Sequence, residues 1–309
     1  MLTEHRRIAV PSELSLLERA APGCGLAIPP VPSLPPAPRS EDRFAAAIET
    51  PGAPPRAASP PTPFAGERHP LDRDRLRGQG FIVPGDPVTG LLEEFRLVKR
   101  QLVLAAAESR AGDGGSHRER ILVASAHPGE GKTWVAVNLA LAIAAEKDNE
   151  VLLVDADFAK PSVLSTLGLP GGPGLMDALA DPAIAVEDCI VGTDLPGLYV
   201  LPSGQATLSD TEWLASARTA DVLDRLSDQA PNRLIIFDSP PALAASPAAE
   251  LALHVGQVVV VIRAERTGEA ALKDALSLLS GCDDVKLLLN GTQFSPTGRS
   301  FGSYYGYGG

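Results

Sequence analysis

The chain has 309 residues and a formal net charge of −11 at pH 7. That acidic balance argues against nucleic acid as the main partner, because binding a phosphate backbone requires a basic surface. No apolar run has the length of a membrane span, and the N-terminus lacks the hydrophobic core of a signal peptide. The three cysteines are far apart and show no metal-ligand spacing, so we expect reduced thiols and a cytoplasmic location.

The first part of the chain has an unusual composition. More than half of the 29 prolines precede residue 88, and residues 22–70 are rich in Pro and Ala with few large apolar side chains. Such a segment cannot bury enough surface to offset its ordering entropy, so we predict a largely disordered region over residues 1–87. We expect one domain over residues 88–294, followed by a flexible tail over residues 295–309.

The segment from residue 121 to 133 has the pattern of a phosphate-binding loop. An apolar strand over 121–125 leads into a turn of small residues, and Gly-Lys132-Thr133 opens an amphipathic helix. Backbone N–H groups there can bind one anion together, Lys132 would hold the β- and γ-phosphates of ATP, and the Thr133 hydroxyl would ligate Mg²⁺. The usual pattern begins with Gly, where this chain has Ala126. The predicted nucleotide-binding residues are Pro128, Gly129, Glu130, Gly131, Lys132, Thr133 and Trp134.

Carboxylates follow two further apolar runs. Asp155 and Asp157 come at the end of the run that starts at residue 151, and Asp238 ends the run that starts at residue 234. Buried parallel strands have this composition, and in an open α/β sheet ligands bind beyond the carboxyl ends of the strands. We therefore expect the three carboxylates to converge near the phosphates, with Asp155 and Asp238 joining Thr133 at Mg²⁺. A single Asp after a strand is more often a turn or a helix cap.

Strands and helices alternate along the rest of the chain. We place strands near residues 121–125, 151–155, 198–201, 233–238, 257–262 and 285–290, with helices between them. This alternation predicts an α/β fold in which a mostly parallel sheet carries helices on both faces. With a phosphate loop after the first strand, the expected fold class is that of the P-loop nucleotide-hydrolysing proteins.

The end of the chain is rich in Gly, Ser and aromatic residues. Tyr304, Tyr305 and Tyr307 lie beyond the last predicted strand, whereas the remaining Tyr199 lies within a predicted strand. A flexible segment can bring a hydroxyl group to an active site, so the three tail tyrosines are candidate phosphate acceptors. A tail that only adheres to a partner would have the same composition. Asn290, at the end of the last strand, could contact adenine, although Asn before Gly is typical of a turn.

Together these motifs resemble the bacterial tyrosine kinases that use a nucleotide-binding loop, and most closely the cytoplasmic autokinases of exopolysaccharide and exosortase-associated gene clusters. The resemblance covers roughly residues 90–309. It includes the phosphate loop, both acidic strand ends and the tyrosine tail. It also includes a helix in which Glu93, Arg96 and Lys99 are similar to the family's Glu-x-x-Arg-x-x-Arg oligomerisation motif, with Lys99 in place of Arg.

The resemblance implies an ATP-dependent protein-tyrosine autokinase that uses Mg²⁺ and regulates exopolysaccharide biosynthesis or export. Lys132, Asp155, Asp157 and Asp238 would be catalytic, with Asp155 or Asp157 accepting the tyrosine proton. Subunits would form a homo-oligomer, such as a ring, and phosphorylate one another's tails. The implied activator is a membrane-embedded polysaccharide chain-length regulator, which would act in trans and recruit the chain to the inner face of the cell membrane.

Two other functions stay open at this point. A partitioning-type ATPase switch would carry an extra Lys early in its phosphate loop, and residues 125–129 contain none. The second alternative is a binding module that senses ATP without turning it over. That alternative is kept open by Ala159, which is followed by Lys160, where the family has an Arg two residues after its second Asp.

Overall fold

Eight strands form one sheet in the computed structural model, which describes residues 66–292 except 112–116, 147, 229 and 231. The strands are β1 Arg68–His69, β2 Arg120–Ser125, β3 Glu150–Asp155, β4 Val191–Thr193, β5 Leu198–Leu201, β6 Arg233–Asp238, β7 Gln257–Arg263 and β8 Val285–Asn290. The helices of the same residues are α1 Arg73–Gly78, α2 Gly90–Ala111, α3 Lys132–Ala144, α4 Val163–Leu167, α5 Leu175–Ala180, α6 Asp210–Leu214, α7 Ala217–Asp228, α8 Pro247–Ala252 and α9 Glu269–Leu278. A 3₁₀ turn covers Val186–Cys189.

The sheet is mostly parallel, as predicted. The strand order is β1-β4-β5-β3-β6-β2-β7-β8, and the β4–β5 pair is antiparallel while the other described pairs are parallel. The six strands predicted from apolar runs are β2, β3, β5, β6, β7 and β8. The strands β1 and β4 have only two and three residues, so they have no sequence periodicity to reveal them.

Helices cover both faces of the sheet and create two apolar cores. Along β3, Leu152 and Val154 face one core while Val151 and Leu153 face the other. Helices α5 and α7 line the first core, and α2 and α3 line the second. Helix α3 is apolar on nearly all sides because it is enclosed between the sheet and α2. Among the described helices, none combines the length and the apolar character needed to cross a bilayer.

The folded part begins earlier than the sequence suggested. Residues 68–83, which we call the N-terminal strap, contain β1 and α1 and bury Leu71, Leu76 and Ile82 in the second core. The prediction that residues 1–87 are largely disordered is therefore wrong for the strap. A few well-spaced apolar side chains are enough to anchor this short segment to a sheet that other residues build.

The strap contacts two helices that matter for the site. The Asp72 backbone N–H donates to the Leu167 carbonyl at the end of α4, over 3.0 Å. The Ile82 backbone N–H donates to the buried Oδ1 of Asn138 in α3, over 2.7 Å. The strap therefore forms hydrogen bonds with both α4 and α3 and links these two helices.

Candidate active site

The loop between β2 and α3 has the backbone shape of a phosphate-binding loop. Gly129 and Gly131 have φ angles of 77° and 101°, in the left-handed region that favours glycine. A Cβ on Gly131 would lie only 2.2 Å from the Asn290 Nδ2 atom, so a side chain there would displace the Asn290 amide. Ala126 is not among the described residues with positive φ, which explains why the loop accommodates alanine at its first position. The order strand, turn and helix is as predicted.

A buried carboxylate holds this loop from inside. Glu130 is 4% exposed, and its Oε2 accepts a hydrogen bond from the His127 backbone N–H at 2.8 Å. Its Oε1 accepts a hydrogen bond from the Thr267 hydroxyl. The same hydroxyl accepts from the Arg263 backbone N–H at 2.8 Å, at the end of β7. Both oxygens of the Glu130 carboxylate therefore accept hydrogen bonds. These bonds partly offset a negative charge that is unfavourable next to an anion in the loop.

Asn290 also supports the loop. Its side-chain Nδ2 donates to the Glu130 carbonyl at 2.9 Å, which ties the end of β8 to the phosphate loop. This contact gives the side chain a structural role at the position where the sequence suggested an adenine contact. The adenine contact stays a prediction.

Two aspartates lie side by side at the carboxyl edge of the sheet. Asp155 and Asp238 are register partners on the neighbouring strands β3 and β6, and each is 1% exposed. Strand β6 also pairs with β2, where Asp238 is opposite Val123. Because β2 leads directly into the phosphate loop, this register places both carboxylates beside the loop.

Burial dominates the electrostatics of the site. The pKa of Asp238 is raised to about 7, chiefly by burial and also by the charges of Asp155 and Asp157, against the lowering effects of the Thr133 hydroxyl and of Lys132. Burial also raises the pKa of Asp155 to about 6, against the lowering effect of backbone N–H donors such as Val163. Burial lowers the pKa of the Lys132 ammonium, opposed chiefly by Asp238. The site thus concentrates negative charge that a cation would stabilise.

The two buried aspartates differ in their hydrogen bonds. The Asp155 Oδ2 accepts from the Ser162 and Val163 backbone N–H groups, at 2.8 and 2.9 Å. Within the described residues, neither oxygen of Asp238 has a hydrogen-bond partner. The nearby Thr133 hydroxyl lowers the Asp238 pKa without forming a hydrogen bond of normal geometry. Buried oxygens without donors, next to a hydroxyl, fit the hard-oxygen ligand set that Mg²⁺ prefers.

Asp157 has the turn role that is common for an aspartate after a strand. Its Oδ1 accepts from the Lys160 backbone N–H at 3.1 Å, and its own N–H donates to the Asp155 Oδ1 at 3.3 Å. The side chain is partly buried, and Ala159 and Lys160 are exposed. Asp157 therefore lies next to the carboxylate pair, at a more open position.

The two other predicted loop contacts differ in exposure. Pro128 is exposed at the tip of the loop. The Trp134 ring packs on apolar neighbours, with its centroid 5.7 Å from that of Phe95 in an edge-on arrangement and 6.3 Å from that of Phe81. These packing contacts explain the presence of a tryptophan at this position. A contact between Trp134 and the nucleotide stays a prediction.

The three residues of the proposed assembly motif do not share one exposed face. Lys99 is 7% exposed, and its Nζ donates to the Ala142 carbonyl of α3 at 2.7 Å and pairs with Glu146 at 2.9 Å. Glu93 and Arg96 form an ion pair with each other on the outer side of α2. Lys99 therefore connects α2 to α3 within one chain, and of the three residues only Glu93 and Arg96 reach the solvent.

Three predicted site residues lie outside the part of the chain that the structure describes, and one site residue was not predicted. The acceptor candidates Tyr304, Tyr305 and Tyr307 lie outside the described residues. Thr267 was not anticipated, because no motif marks a threonine in the turn after β7. Its position follows from the structure, in which β7 neighbours the strand that leads into the phosphate loop.

Comparison with known proteins agrees with this geometry. The sequence matches the family model described as an AAA domain over residues 118–290. It is 30% identical to EpsB of Ralstonia solanacearum over 237 residues, which cover 75% of this chain and 30% of that protein. It is 29% identical to the tyrosine-protein kinase YwqD of Bacillus subtilis over 230 residues, which cover 74% of this chain and 92% of YwqD.

Solved structures share the fold. The chimerical protein CapA2B2 is 26% identical, with a TM-score of 0.54 over 70% of this chain and 98% of that one. The kinase domain of the Escherichia coli tyrosine kinase ETK has a TM-score of 0.57 at 23% identity, over 74% of this chain and 92% of that one, and it supports the fold alone. The chain spans less than a third of the length of EpsB, so the full set of functions of EpsB does not transfer with the match.

Proposed function

Because the chain belongs to the AAA domain family and its relatives include bacterial tyrosine-protein kinases, we propose that it is an ATP-dependent protein-tyrosine autokinase that regulates exopolysaccharide biosynthesis or export. One observation carries the nucleotide chemistry, namely the buried pair Asp155 and Asp238 beside the phosphate loop. The choice of tyrosine as acceptor is supported by the names of the relatives and by the tyrosine-rich tail.

Each group of residues in the site has a separate role in phosphoryl transfer. The backbone N–H groups from Gly129 to Thr133 would hold the phosphates at the N-terminus of α3. The Lys132 ammonium would neutralise charge that develops on the β- and γ-phosphate oxygens. Thr133 would bind Mg²⁺, Asp155 and Asp238 would bind it directly or through water, and the ion would supply further positive charge at the phosphates.

The transfer itself needs little from the protein beyond position and charge. The phenolic oxygen of the acceptor forms a bond to the γ-phosphorus while the bond from that phosphorus to the β,γ-bridging oxygen breaks. ADP leaves, and the phenolic proton passes to a carboxylate at the end of β3. Asp155 and Asp157 are the two candidates, and Asp157 is the more exposed of them.

Assembly and partners form the finer part of the proposal. We propose that copies of the chain form a homo-oligomer in which Tyr304, Tyr305 and Tyr307 of one copy are phosphorylated by a neighbour. Each phosphate adds about −1.5 to −2 charges, so modification would oppose assembly of an already acidic chain. A membrane-embedded polysaccharide chain-length regulator would act as the activator and hold the kinase at the inner face of the membrane.

The kinase assignment predicts a defect in Lys132→Met. This change removes the charge that contacts phosphate and keeps an apolar stem, so autophosphorylation should fall at least about a hundredfold while the fold is kept. The measurement is phosphotyrosine formation after incubation with Mg-ATP, with circular dichroism to check folding. Lys273→Met is a matched control, because Lys273 is exposed on α9 and should leave the rate unchanged.

The same incubation separates the alternatives. Phosphotyrosine that is equal in parent and Lys132→Met would contradict the kinase assignment. Release of inorganic phosphate without phosphotyrosine would favour an ATPase switch. Binding of Mg-ATP with neither product would favour a sensing module.

A further inference from the structure

A small cavity opens on the far side of the carboxylate pair from the phosphate loop. It has a volume of about 240 Å³ and lies at the carboxyl ends of β3 and β5. Asp155 forms part of its wall, and Pro161, Pro202, Ser203 and Gly172 lie around it. The cavity is smaller than the roughly 300–1,000 Å³ of sites for drug-sized ligands, so its size suits a single side chain.

The strand order explains where the cavity lies relative to the nucleotide. Along the sheet, β5, β3, β6 and β2 are consecutive, and the phosphate loop follows β2. Asp155 and Asp238 end the two middle strands. In strand order the carboxylates thus lie between the end of β2 and the cavity, and a hydroxyl group in the cavity would lie next to Asp155.

The wall that follows β5 is held rigidly. The Leu175 and Met176 backbone N–H groups donate to the Pro202 and Ser203 carbonyls, at 2.8 and 2.9 Å. A Cβ on Gly174 would lie 2.2 Å from the Pro202 carbonyl oxygen, so this turn packs directly against the start of α5. The cavity is therefore preformed on this side.

The opposite wall is fixed by Asp155 itself. Its Oδ2 accepts the Ser162 and Val163 backbone N–H groups, which are the first of the α4 region. Helix α4 carries Leu164 and Ser165, which line the cavity on that side. The carboxylate and the wall that surrounds it are thus positioned together.

The lining matches the chemistry of a phenol. Pro161 and Pro202 offer flat apolar surfaces for a ring, and the Asp155 carboxylate offers an acceptor for a hydroxyl hydrogen. We propose that this cavity is the acceptor site, which receives the side chain of the tyrosine to be phosphorylated. The proposal rests on the proposed kinase function and adds the location at which the substrate side chain binds.

Gly172 provides a sharp test. A Cβ added there meets no atom within 4 Å and Gly172 does not have positive φ, so larger residues fit the fold at a position that lines the cavity. In the series Gly172→Ala, Gly172→Val and Gly172→Leu, phosphotyrosine formation should decrease stepwise, to at least about tenfold below the parent for leucine. The dissociation constant for Mg-ATP, measured by titration calorimetry, should stay at the parent value. Gly78→Leu is the matched control, because a Cβ on Gly78 in α1 also meets no atom within 4 Å.

The outcomes separate this proposal from the kinase assignment. Parent-like phosphotyrosine formation in folded Gly172→Leu would overturn the acceptor site and leave the kinase intact. Weaker Mg-ATP binding across the series would assign the cavity to the nucleotide and also overturn it. If leucine prevents folding, the alanine and valine variants still decide, because their rates must follow side-chain size. A parent chain that forms no phosphotyrosine would remove the kinase function and the acceptor site together.

Discussion

At the scale of single residues, Glu130 shows how an acidic side chain can belong to an anion-binding loop. The His127 backbone N–H and the Thr267 hydroxyl each donate a hydrogen bond to one of its carboxylate oxygens. The Asn290 side chain donates to its backbone carbonyl. The loop is thereby held in its binding shape before any phosphate arrives. Preorganised donors lose less conformational freedom when the ligand binds, so these contacts should increase the affinity for the nucleotide.

Thr267→Val therefore predicts weaker nucleotide binding. Valine has nearly the same shape but no hydroxyl, so one oxygen of buried Glu130 loses its donor and the carboxylate is held less firmly behind the loop. We expect the dissociation constant for Mg-ATP to rise about tenfold, which corresponds to about 1.4 kcal/mol. Calorimetric titration measures this change. Thr267→Ser restores the hydroxyl and should restore the affinity, and a valine variant that binds as tightly as the parent would show that Thr267 only packs.

Asp238 gives a prediction about pH. Its pKa rises from the ordinary 3.8 to about 7 in the folded chain, so the folded state binds a proton more readily than the unfolded state. This group therefore stabilises the fold at low pH, and its contribution is lost as the pH rises from about 4 through 7. Between pH 5.5 and pH 8 the metal-free parent should lose on the order of 2 kcal/mol from this group.

Asp238→Asn tests that contribution, because the amide does not titrate. In the presence of a metal chelator and without nucleotide, the variant should gain stability relative to the parent as the pH rises from 5.5 to 8. Urea unfolding at both pH values measures the difference, and the exposed Asp274→Asn serves as control. A constant difference between Asp238→Asn and the parent at the two pH values would mean that Asp238 does not titrate in this range.

At the scale of elements, the attachment of α2 to α3 depends on a buried lysine. The Lys99 ammonium reaches the carbonyl of Ala142 near the C-terminal end of α3, where a positive charge is favourable. It also pairs with Glu146, just beyond that helix. The Glu-x-x-Arg-x-x-Lys spacing alone cannot show this, because α2 meets α3 only in the folded chain.

Lys99→Ala should destabilise the fold before it affects assembly. Loss of the hydrogen bond and of the partly exposed ion pair should lower the free energy of unfolding by about 1–3 kcal/mol. Urea unfolding checks this, with Arg100→Ala as a control, since Arg100 is exposed on the same helix. An unchanged unfolding midpoint in Lys99→Ala would contradict the structural role. Assembly is better tested by Glu93→Ala with Arg96→Ala, followed by light scattering.

At the scale of the whole molecule, the sequence revealed the sheet and the chemistry at its edge. The six strands could be predicted because each is an apolar run, and all of them except the edge strand β8 are largely buried in the parallel sheet. Asp155 and Asp238 could be predicted to meet because the carboxyl ends of parallel strands share one edge. These inferences depend only on local pattern and on general rules of topology.

The remaining features depend on contacts between distant segments. The sequence did not reveal the strap because the disorder expected from the Pro/Ala-rich residues 22–70 was extended to residue 87, across Leu71 and Leu76. Thr267 and Glu130 are 137 positions apart, and no local pattern links them. The cavity beside Asp155 is built from four separate stretches of the chain, so its shape exists only after folding.

The N-terminal strap connects the two helices that hold the site, α4 beside Asp155 and α3 after the phosphate loop. One end of it is bonded to α4, whose first N–H groups hold Asp155, and the other end is bonded to α3, which begins at the phosphate loop. A displacement of either helix must pull on the other through this segment. The strap is therefore a continuous covalent link, hydrogen-bonded at each end, between the segment that holds Asp155 and the helix that follows the phosphate loop.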